Sequence, residues 1–277
     1  LYLATNHQQV IETLRQLDYY GFSPDHLIAE PCNRNTALAI GVMSKVIINN
    51  DPDAVIAIFP ADHVVTNSKN FIKILRKAET LAQKGYLVTL GIPPTRPDTG
   101  FGYLQQGSEI EDGTYKVEQF AEKPDLPKAK QYLQHGKYFW NSGIFVWKAS
   151  TILEELQNYA KNIYSQLDAI ASSTQNAKGR YAYLELNETG NKIFSSLPSL
   201  SIDYAVMENS SRVVLLPADI GWNDVGTWSS LDDVSKKDPE GNVINGNVLA
   251  QDCNNSKIQG QKRLIAVLGL KDTIVVD

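Results

Sequence analysis

Two aspartates far apart in the chain carry the residue type and local setting that divalent-cation chemistry requires. Asp62 lies in Phe59-Pro60-Ala61-Asp62-His63, at the exit of the β-branched run from Val55 to Phe59. In open α/β sheets ligands bind beyond the carboxyl ends of strands, and an aspartate there can offer oxygen to a hard cation. One aspartate rarely holds Mg²⁺ unaided. Asp224, in Gly221-Trp222-Asn223-Asp224-Val225-Gly226-Thr227-Trp228, is the second candidate, on a glycine-flanked turn between two tryptophans. Asp219 rivals it by position, and capping of the next turn is the plainer role for Asp62.

Four further segments combine polar groups with constrained backbone. Glu30-Pro31-Cys32-Asn33-Arg34-Asn35-Thr36-Ala37 opens an apolar helix, whose N-terminus offers free N–H groups and a positive dipole end to a phosphate or the polar edge of a base. Asn35 or Thr36 capping that helix is the competing account. Gly91 to Tyr103 is a loop of prolines and glycines; glycine admits close backbone approach and proline fixes the path. Phe120-Ala121-Glu122-Lys123-Pro124 ends a strand on adjacent opposite charges, which need not pair if strand alternation persists. There Lys123 would act as a point charge for an anion, and Glu122 could accept from sugar hydroxyls. Asn141, in Trp140-Asn141-Ser142-Gly143-Ile144-Phe145, could bond a hydroxyl or satisfy backbone at a bulge. His7, His26, His63 and His135 lack zinc-site or triad spacing; His63, beside Asp62, is the one that could line a site.

The elements needed to position these residues follow from periodicity and breakers. Leu1 to Thr5 reads as a strand, His7 to Tyr20 as a helix ended by Gly21, and Ile28 to Pro31 as a short strand. A nearly all-apolar helix runs from Ala37 to Ile48, then come the strand Val55 to Phe59, a helix from Ser68 to Lys84, and the strand Tyr86 to Gly91. Strands near Phe101–Gln106 and Tyr115–Phe120 flank the turn Glu111-Asp112-Gly113. Helices are expected from Ala149 to Leu197, interrupted at Ser172–Asn176. The alternation predicts an α/β fold with a Rossmann-like mixed, mostly parallel sheet flanked by helices. Residues 1–237 form the main domain and residues 238–277 a small β-rich, β-helix-like appendage that could serve contacts in a homo-oligomer.

Composition narrows the partners. The 277 residues are 43% hydrophobic and 21% charged, with a formal net charge of −5, which argues against affinity built on a nucleic-acid backbone. Anionic small molecules remain compatible through local cations, helix termini and a metal. The longest apolar run, Ala54 to Phe59, is strand-sized, so no membrane span is expected. Two cysteines, Cys32 and Cys253, in unrelated contexts, fit a reducing cytoplasm better than a disulfide framework.

Each segment is weak alone, but their order is specific. Glu30–Ala37, Pro60–His63, Gly91–Tyr103, Glu122–Pro124, Trp140–Phe145, Ser201–Glu208 and Trp222–Trp228 together resemble the mannose-1-phosphate guanylyltransferases, or GDP-mannose pyrophosphorylases, of the nucleotidyltransferase family. The resemblance runs from Leu1 to about Leu231 and more loosely beyond. It implies GTP on one side of a cleft and mannose 1-phosphate on the other, with GDP-mannose and pyrophosphate as products. It assigns Glu30, Asn35 and Thr36 to the nucleotide, with Asp62 and Asp224 sharing Mg²⁺. Gly102, Glu122 and Asn141 would face mannose, Lys123 its phosphate, and Asp203 the general neighbourhood of the sugar. A phosphate oxygen would attack the α-phosphorus of GTP, so the protein's task is to position two anions and neutralise growing charge.

The sequence departs from the family at one place. Family members begin with a strand and a glycine-rich triphosphate loop, whereas this chain opens where their second strand would be. The expectation from that opening is a truncated form with little or no turnover. Within the enzyme class the rivals are another hexose 1-phosphate or another nucleotide. Outside it, the rival is a non-catalytic, sugar-nucleotide-sensing regulatory subunit.

Overall fold

A computed structural model describes residues 1–179, 181–226 and 235–277, and the chain divides into two units, residues 1–59 with 72–218 and residues 60–71 with 219–277. Thr227 and Trp228, at the end of the tryptophan-flanked turn, lie outside the described residues.

The first unit opens with β1 (Leu3–Asn6) and α1 (Val10–Leu17), which tightens over Asp18–Tyr20 and stops at Gly21, where φ is +67°. β2 (Leu27–Glu30) pairs parallel with β1. α2 (Asn35–Asn50) buries Ala37, Leu38, Ile40, Gly41, Val42, Met43 and Ser44, which accounts for its lack of a polar face: a helix covered on most sides has no use for one. β3 (Val55–Ile58) ends just before Phe59-Pro60. After the short β4 (Val64–Val65) come α3 (Ser68–Gln83) and β5 (Leu87–Ile92), in which all six residues are buried.

β6 (Tyr103–Glu111) and β7 (Thr114–Ala121) form the expected hairpin. Asp112 and Gly113 both have positive φ, +38° and +68°, as a two-residue hairpin turn with the right-handed twist requires. Asp125 caps α4 (Leu126–His135) by accepting from the Lys128 N–H at 2.9 Å. The eleven-residue β8 (Tyr138–Lys148) leads into α5 (Ala149–Tyr159) and α6 (Lys161–Ala171). The stretch expected to be helical with a polar interruption instead holds β9 (Thr174–Asn176) and β10 (Leu184–Leu186) before α7 (Glu188–Ser196). A π-helical turn, Asp203–Met207, and β11 (Val213–Pro217) complete the unit.

Two sheets result, a six-stranded one in the order β3-β8-β5-β11-β7-β6 and a four-stranded one in the order β1-β2-β10-β9. The architecture is the expected mixed α/β, but the six-stranded sheet is not mostly parallel: only β5–β11 is a parallel pair in it, because β8 and the β6–β7 hairpin enter antiparallel. Parallel pairs join β1 to β2, β2 to β10 and β5 to β11, while β8 runs antiparallel to each of β3, β5 and β6. β8 therefore reaches the centre of the large sheet and carries Asn141 with it. One core, including Leu38, Trp147, Ile152, Leu156, Ile163 and Leu167, ties α2, α5 and α6 to the sheet.

In the second unit β4 pairs antiparallel with β12 (Trp222–Asn223). Five short strands follow: β13 (Val243–Asn245), β14 (Val248–Gln251), β15 (Lys257–Gln259), β16 (Ile265–Leu268) and β17 (Ile274–Val276). All pair parallel, as β13-β15-β17 and β14-β16. Asn242, only 3% exposed, stitches successive turns: its Nδ2 donates to the Cys253 carbonyl at 2.8 Å and its Oδ1 accepts from the Ser256 N–H at 2.9 Å. Cys32 and Cys253 are free thiols. Among the described residues no helix is long and apolar enough to cross a membrane.

The packing around α2 sets a first expectation. Leu38 is fully buried, so Leu38→Ala should destabilise by about 2–5 kcal/mol through lost burial and a residual cavity. Thermal unfolding followed by circular dichroism checks this; an unchanged midpoint would show that α2 is not held by that core.

Candidate functional site

The Trp140–Phe145 segment of β8 inserts one amide into an apolar strand, and its hydrogen bonds organise the surrounding residues. The Asn141 N–H donates to the Gly102 carbonyl at 2.8 Å. Its Oδ1 accepts from the Thr89 hydroxyl and the Gly143 N–H, each at 3.2 Å, and its Nδ2 donates to Asp203 Oδ1 at 2.9 Å. The pairing of β5 with β8 shifts register between Thr89 and Gly91, so Asn141 sits at an irregularity that spares room for these bonds.

Glu122 lies against the same cluster. A Cβ on Gly102 would approach Glu122 Oε2 to 2.6 Å and Asn141 Cβ to 3.5 Å; position 102 is glycine because a carboxylate occupies that space. Lys123 departs from strand alternation with φ +43°, and β7 has ended at Ala121. The adjacent charges, which continued strand geometry would have kept apart, therefore meet: Lys123 Nζ lies 3.6 Å from Glu122 Oε1. Burial raises the Glu122 carboxyl above the usual range, and the Asp203 charge adds to it. Burial also raises Asp203, against the opposing hydrogen bond from Asn141. Glu208, one turn along, is raised by burial and then by Asp203. Gly102, Glu122, Lys123, Asn141 and Asp203 thus form one group.

The Glu30–Ala37 segment differs from expectation. Asn35 lies in the left-handed region at φ +64°, and Arg34, at the N-cap position of α2, makes no side-chain capping bond. The amides expected to be free are taken: Asn35 N–H donates to Asn33 Oδ1 and Thr36 N–H to Asn35 Oδ1, both at 2.9 Å, and Ala37 N–H to the Leu200 carbonyl at 3.1 Å. Thr36 Oγ1 accepts from the Ile202 N–H at 2.8 Å. The free-amide reading does not hold for these three amides; the Asn33 and Asn35 side chains and the 200–202 segment close this helix end together. Two atoms of the segment, Glu30 Oε1 and Arg34 Nε, are buried without a hydrogen-bond partner. Burial pushes the Glu30 carboxyl up to about 7. A cavity of about 450 Å³ beside it is lined by His7, Pro31, Gln175, Glu185 and Asn187 among others; Glu30, Asn35 and Thr36 are not in its wall.

In the second unit, Trp222 pairs opposite Val65 and Asn223 opposite Val64; one step further, His63 comes opposite Asp224. Trp222 Nε1–H donates to His63 Nδ1 at 3.0 Å. His63 Nε2 lies 3.9 Å from Asp62 Oδ1. Burial lowers the His63 pKa, and the negative charges of both Asp62 and Asp224 oppose that shift, so both carboxylates act on one imidazole. Asp219 is exposed, and its carbonyl accepts from Asn70 at 2.7 Å. Among the described residues no group of three or more His, Cys, Asp and Glu side chains has metal-site geometry. The other histidines pack on tyrosines: His7 on Tyr183, His26 on Tyr2 and His135 on Tyr138.

The chain matches the Nucleotidyl transferase family over residues 1–241. It belongs to that family. A xanthan biosynthesis protein, XanB, of Xanthomonas campestris pv. campestris is 41% identical over 275 residues, covering 99% of this chain and 57% of that protein. A putative mannose-1-phosphate guanylyltransferase of Vibrio cholerae is 40% identical over 275 residues, with 99% and 58% covered. The chain thus spans little more than half the length of the curated relatives it matches. Among solved structures, one described as a mannose-1-phosphate geranyltransferase from Thermus thermophilus superposes with a TM-score of 0.83 at 28% identity, covering 99% of this chain and 76% of that one. Sequence reasoning about this nucleotidyl transferase missed Thr89 and the His63–Trp222 bond. Thr89 leaves a signal, as the one polar residue in Leu87-Val88-Thr89-Leu90; the His63–Trp222 bond leaves none.

Glu30 supports a pH prediction. A carboxyl raised from 4.5 to about 7 binds its proton more tightly folded than unfolded, so the native state is penalised as pH rises from 4.5 through 7. Glu30→Gln should therefore match the parent near pH 4.5 and exceed it at pH 8, by up to about 3 kcal/mol. Unfolding midpoints at the two pH values test this; a gain that does not grow with pH would place the buried proton elsewhere.

Proposed function

We propose that this chain carries the nucleotidyl-transfer step of a cytoplasmic mannose-1-phosphate guanylyltransferase, forming GDP-mannose and pyrophosphate from GTP and α-D-mannose 1-phosphate. Family membership and relatives at about 40% identity support it. The observation that carries it is the group around Asn141. Asn141 Nδ2 has given one N–H to Asp203 and retains a second, while Glu122 and Asp203 are carboxyls that burial favours in the protonated form. Such groups exchange hydrogen bonds with sugar hydroxyls. Lys123, whose side chain is 64% exposed, supplies the cation for that phosphate. Residues 1–237 would form the transferase domain and residues 238–277 its appendage.

Glu30, with its unbonded buried oxygen, is the group of its segment suited to a base edge; Asn35 and Thr36 would shape that end of the site through their backbone. Asp62 and Asp224 fit a Mg²⁺ ion: both are hard oxygen donors, both act on the same imidazole, and the Asp62 side chain is 82% exposed. When bound, the ion offsets charge developing on the phosphates. The chain's own residues bind and orient the two anions, and the nucleophile, already ionised, needs no strong general base.

In the full-length protein, pyrophosphate release is expected with GTP and mannose 1-phosphate and to be far weaker with ATP, UTP or dTTP, or with other hexose phosphates. Equal rates with another pair would reassign the substrates, and absence of release with every pair would remove the transferase reading. Gly102→Ala should push Glu122 aside and cut kcat/KM for mannose 1-phosphate by about 10–100-fold, on the scale of one or two lost hydrogen bonds, with KM for GTP little changed. A parallel rise in KM for GTP would mean that Gly102 is not specific to the sugar.

A further inference from the structure

Asp62 and Asp224 sit on separate chain segments, and a cation shared between them needs their spacing held before it arrives. The backbone bonds between these segments lie on the far side of the ribbon from the carboxylates: Thr66 N–H to the Gly221 carbonyl at 3.1 Å and Asn67 N–H to the Ile220 carbonyl at 3.0 Å. Gly221, at φ +61°, makes that approach feasible, since a Cβ there would collide with Thr66 Oγ1. Pairing ends at Asn223 and Val64, one residue short of the aspartates. Past that point the connection is between side chains. Trp222 Nε1–H donates to His63 Nδ1 at 3.0 Å, and the rings meet edge to face with centroids 5.2 Å apart.

An indole N–H can only donate, so this bond fixes Nδ1 as acceptor and leaves Nε2, 3.9 Å from Asp62, to carry the imidazole proton. The His63 side chain is 16% exposed, which limits its alternative rotamers. On the other strand the turn is equally constrained. Val225, β-branched yet at φ +48°, is held by its N–H donating to Asn223 Oδ1 at 2.8 Å, and Gly226 N–H reaches Asp224 Oδ1 at 3.4 Å. A β-branched residue in that region is strained and persists where the surroundings over-determine it.

We propose that His63 and Trp222 are positioning residues whose hydrogen bond fastens the Asp62 turn to the Asp224 turn and presets the two carboxylates for one divalent cation. This rests on the reading of Asp62 and Asp224 as the cation's holders, and the test separates the two claims. Mn²⁺ affinity of the full-length protein is measured by electron paramagnetic resonance without substrates, alongside hydrogen exchange of the Trp222 indole N–H. Asp62→Asn and Asp224→Asn should each abolish the site. Trp222→Phe, which keeps a ring and loses the N–H, and His63→Leu should each weaken Mn²⁺ about tenfold, the lower end for loss of an outer-sphere partner. The double variant should be no weaker than either single one, because both remove the same bond. His63→Asn, which retains an acceptor, should recover most of the affinity, and in the parent the indole N–H should be protected from exchange.

If the aspartate variants lose Mn²⁺ while Trp222→Phe and His63→Leu bind it as the parent does, the fastening role is overturned and the metal reading stands. If the aspartate variants bind like the parent, the metal reading falls and the fastening role with it. Should Trp222→Phe fail to fold, the contrast between His63→Leu and His63→Asn decides.

Discussion

Setting a half-buried amide, Asn141, into an apolar strand is the constraint on which the first unit's polar group depends. Unpartnered, such a group costs a few kcal/mol, and β8 places Asn141 among buried neighbours such as Trp140 and Ser142. The cost is offset by three side-chain hydrogen bonds, a fourth bond runs from the Asn141 backbone N–H, and each makes a demand elsewhere. Thr89 must interrupt β5, Gly102 must offer its carbonyl, Gly143 must turn its N–H inward, and Asp203 must stand at the start of the π-helical turn. The cluster is therefore mounted on the core strands β5 and β8, whose neighbours restrict its movement. A site intended to hold a flexible sugar phosphate in one orientation gains from such a mount.

The second unit solves a different problem. Its aspartates are exposed or half-buried and would wander if their segments were independent. β4 and β12 are only two residues each, too short to stand alone as a ribbon. Close backbone approach at Gly221, a left-handed valine and an indole–imidazole bond supply the definition that length does not. Strain is tolerated next to the carboxylates because the adjoining bonds leave the backbone no relaxed alternative.

How much of this was legible in the sequence follows from which interactions are local. The strands around Val55, Leu87 and Tyr115, the Asp112-Gly113 turn and the apolar helix α2 were readable because burial and φ preference act within a few residues. β9 and β10 were hidden inside a stretch read as helical, since three-residue strands exist through pairing with distant partners and carry little periodic signal. The closure of α2 misled for the same reason. Asn35 does accept from the Thr36 N–H, yet Ala37 and Thr36 also bond residues 200–202, which lie far away in the chain. Glu122 and Lys123 need not have paired had strand geometry persisted, and they meet because Lys123 turns left-handed once β7 has stopped. Gly102 needed the structure to explain it: what excludes a side chain there is a carboxylate twenty residues away.

The distribution of carboxyls bears on how a chain with a formal charge of −5 can handle anions. Glu30, Glu122, Asp203 and Glu208 all have pKa values raised first by burial. Desolvation disfavours the charged form, so burial makes each of these groups harder to ionise than a solvated carboxyl. A phosphate brought close would raise them further and favour protonation, which weakens the repulsion that would otherwise oppose its arrival. A protonated carboxyl also donates, so a hydroxyl oxygen can be met as acceptor as well as donor. In the proposed reaction the burial that makes these carboxyls costly to ionise is thus what suits them to a substrate bearing both hydroxyls and a phosphate, with Lys123 as the nearby cation.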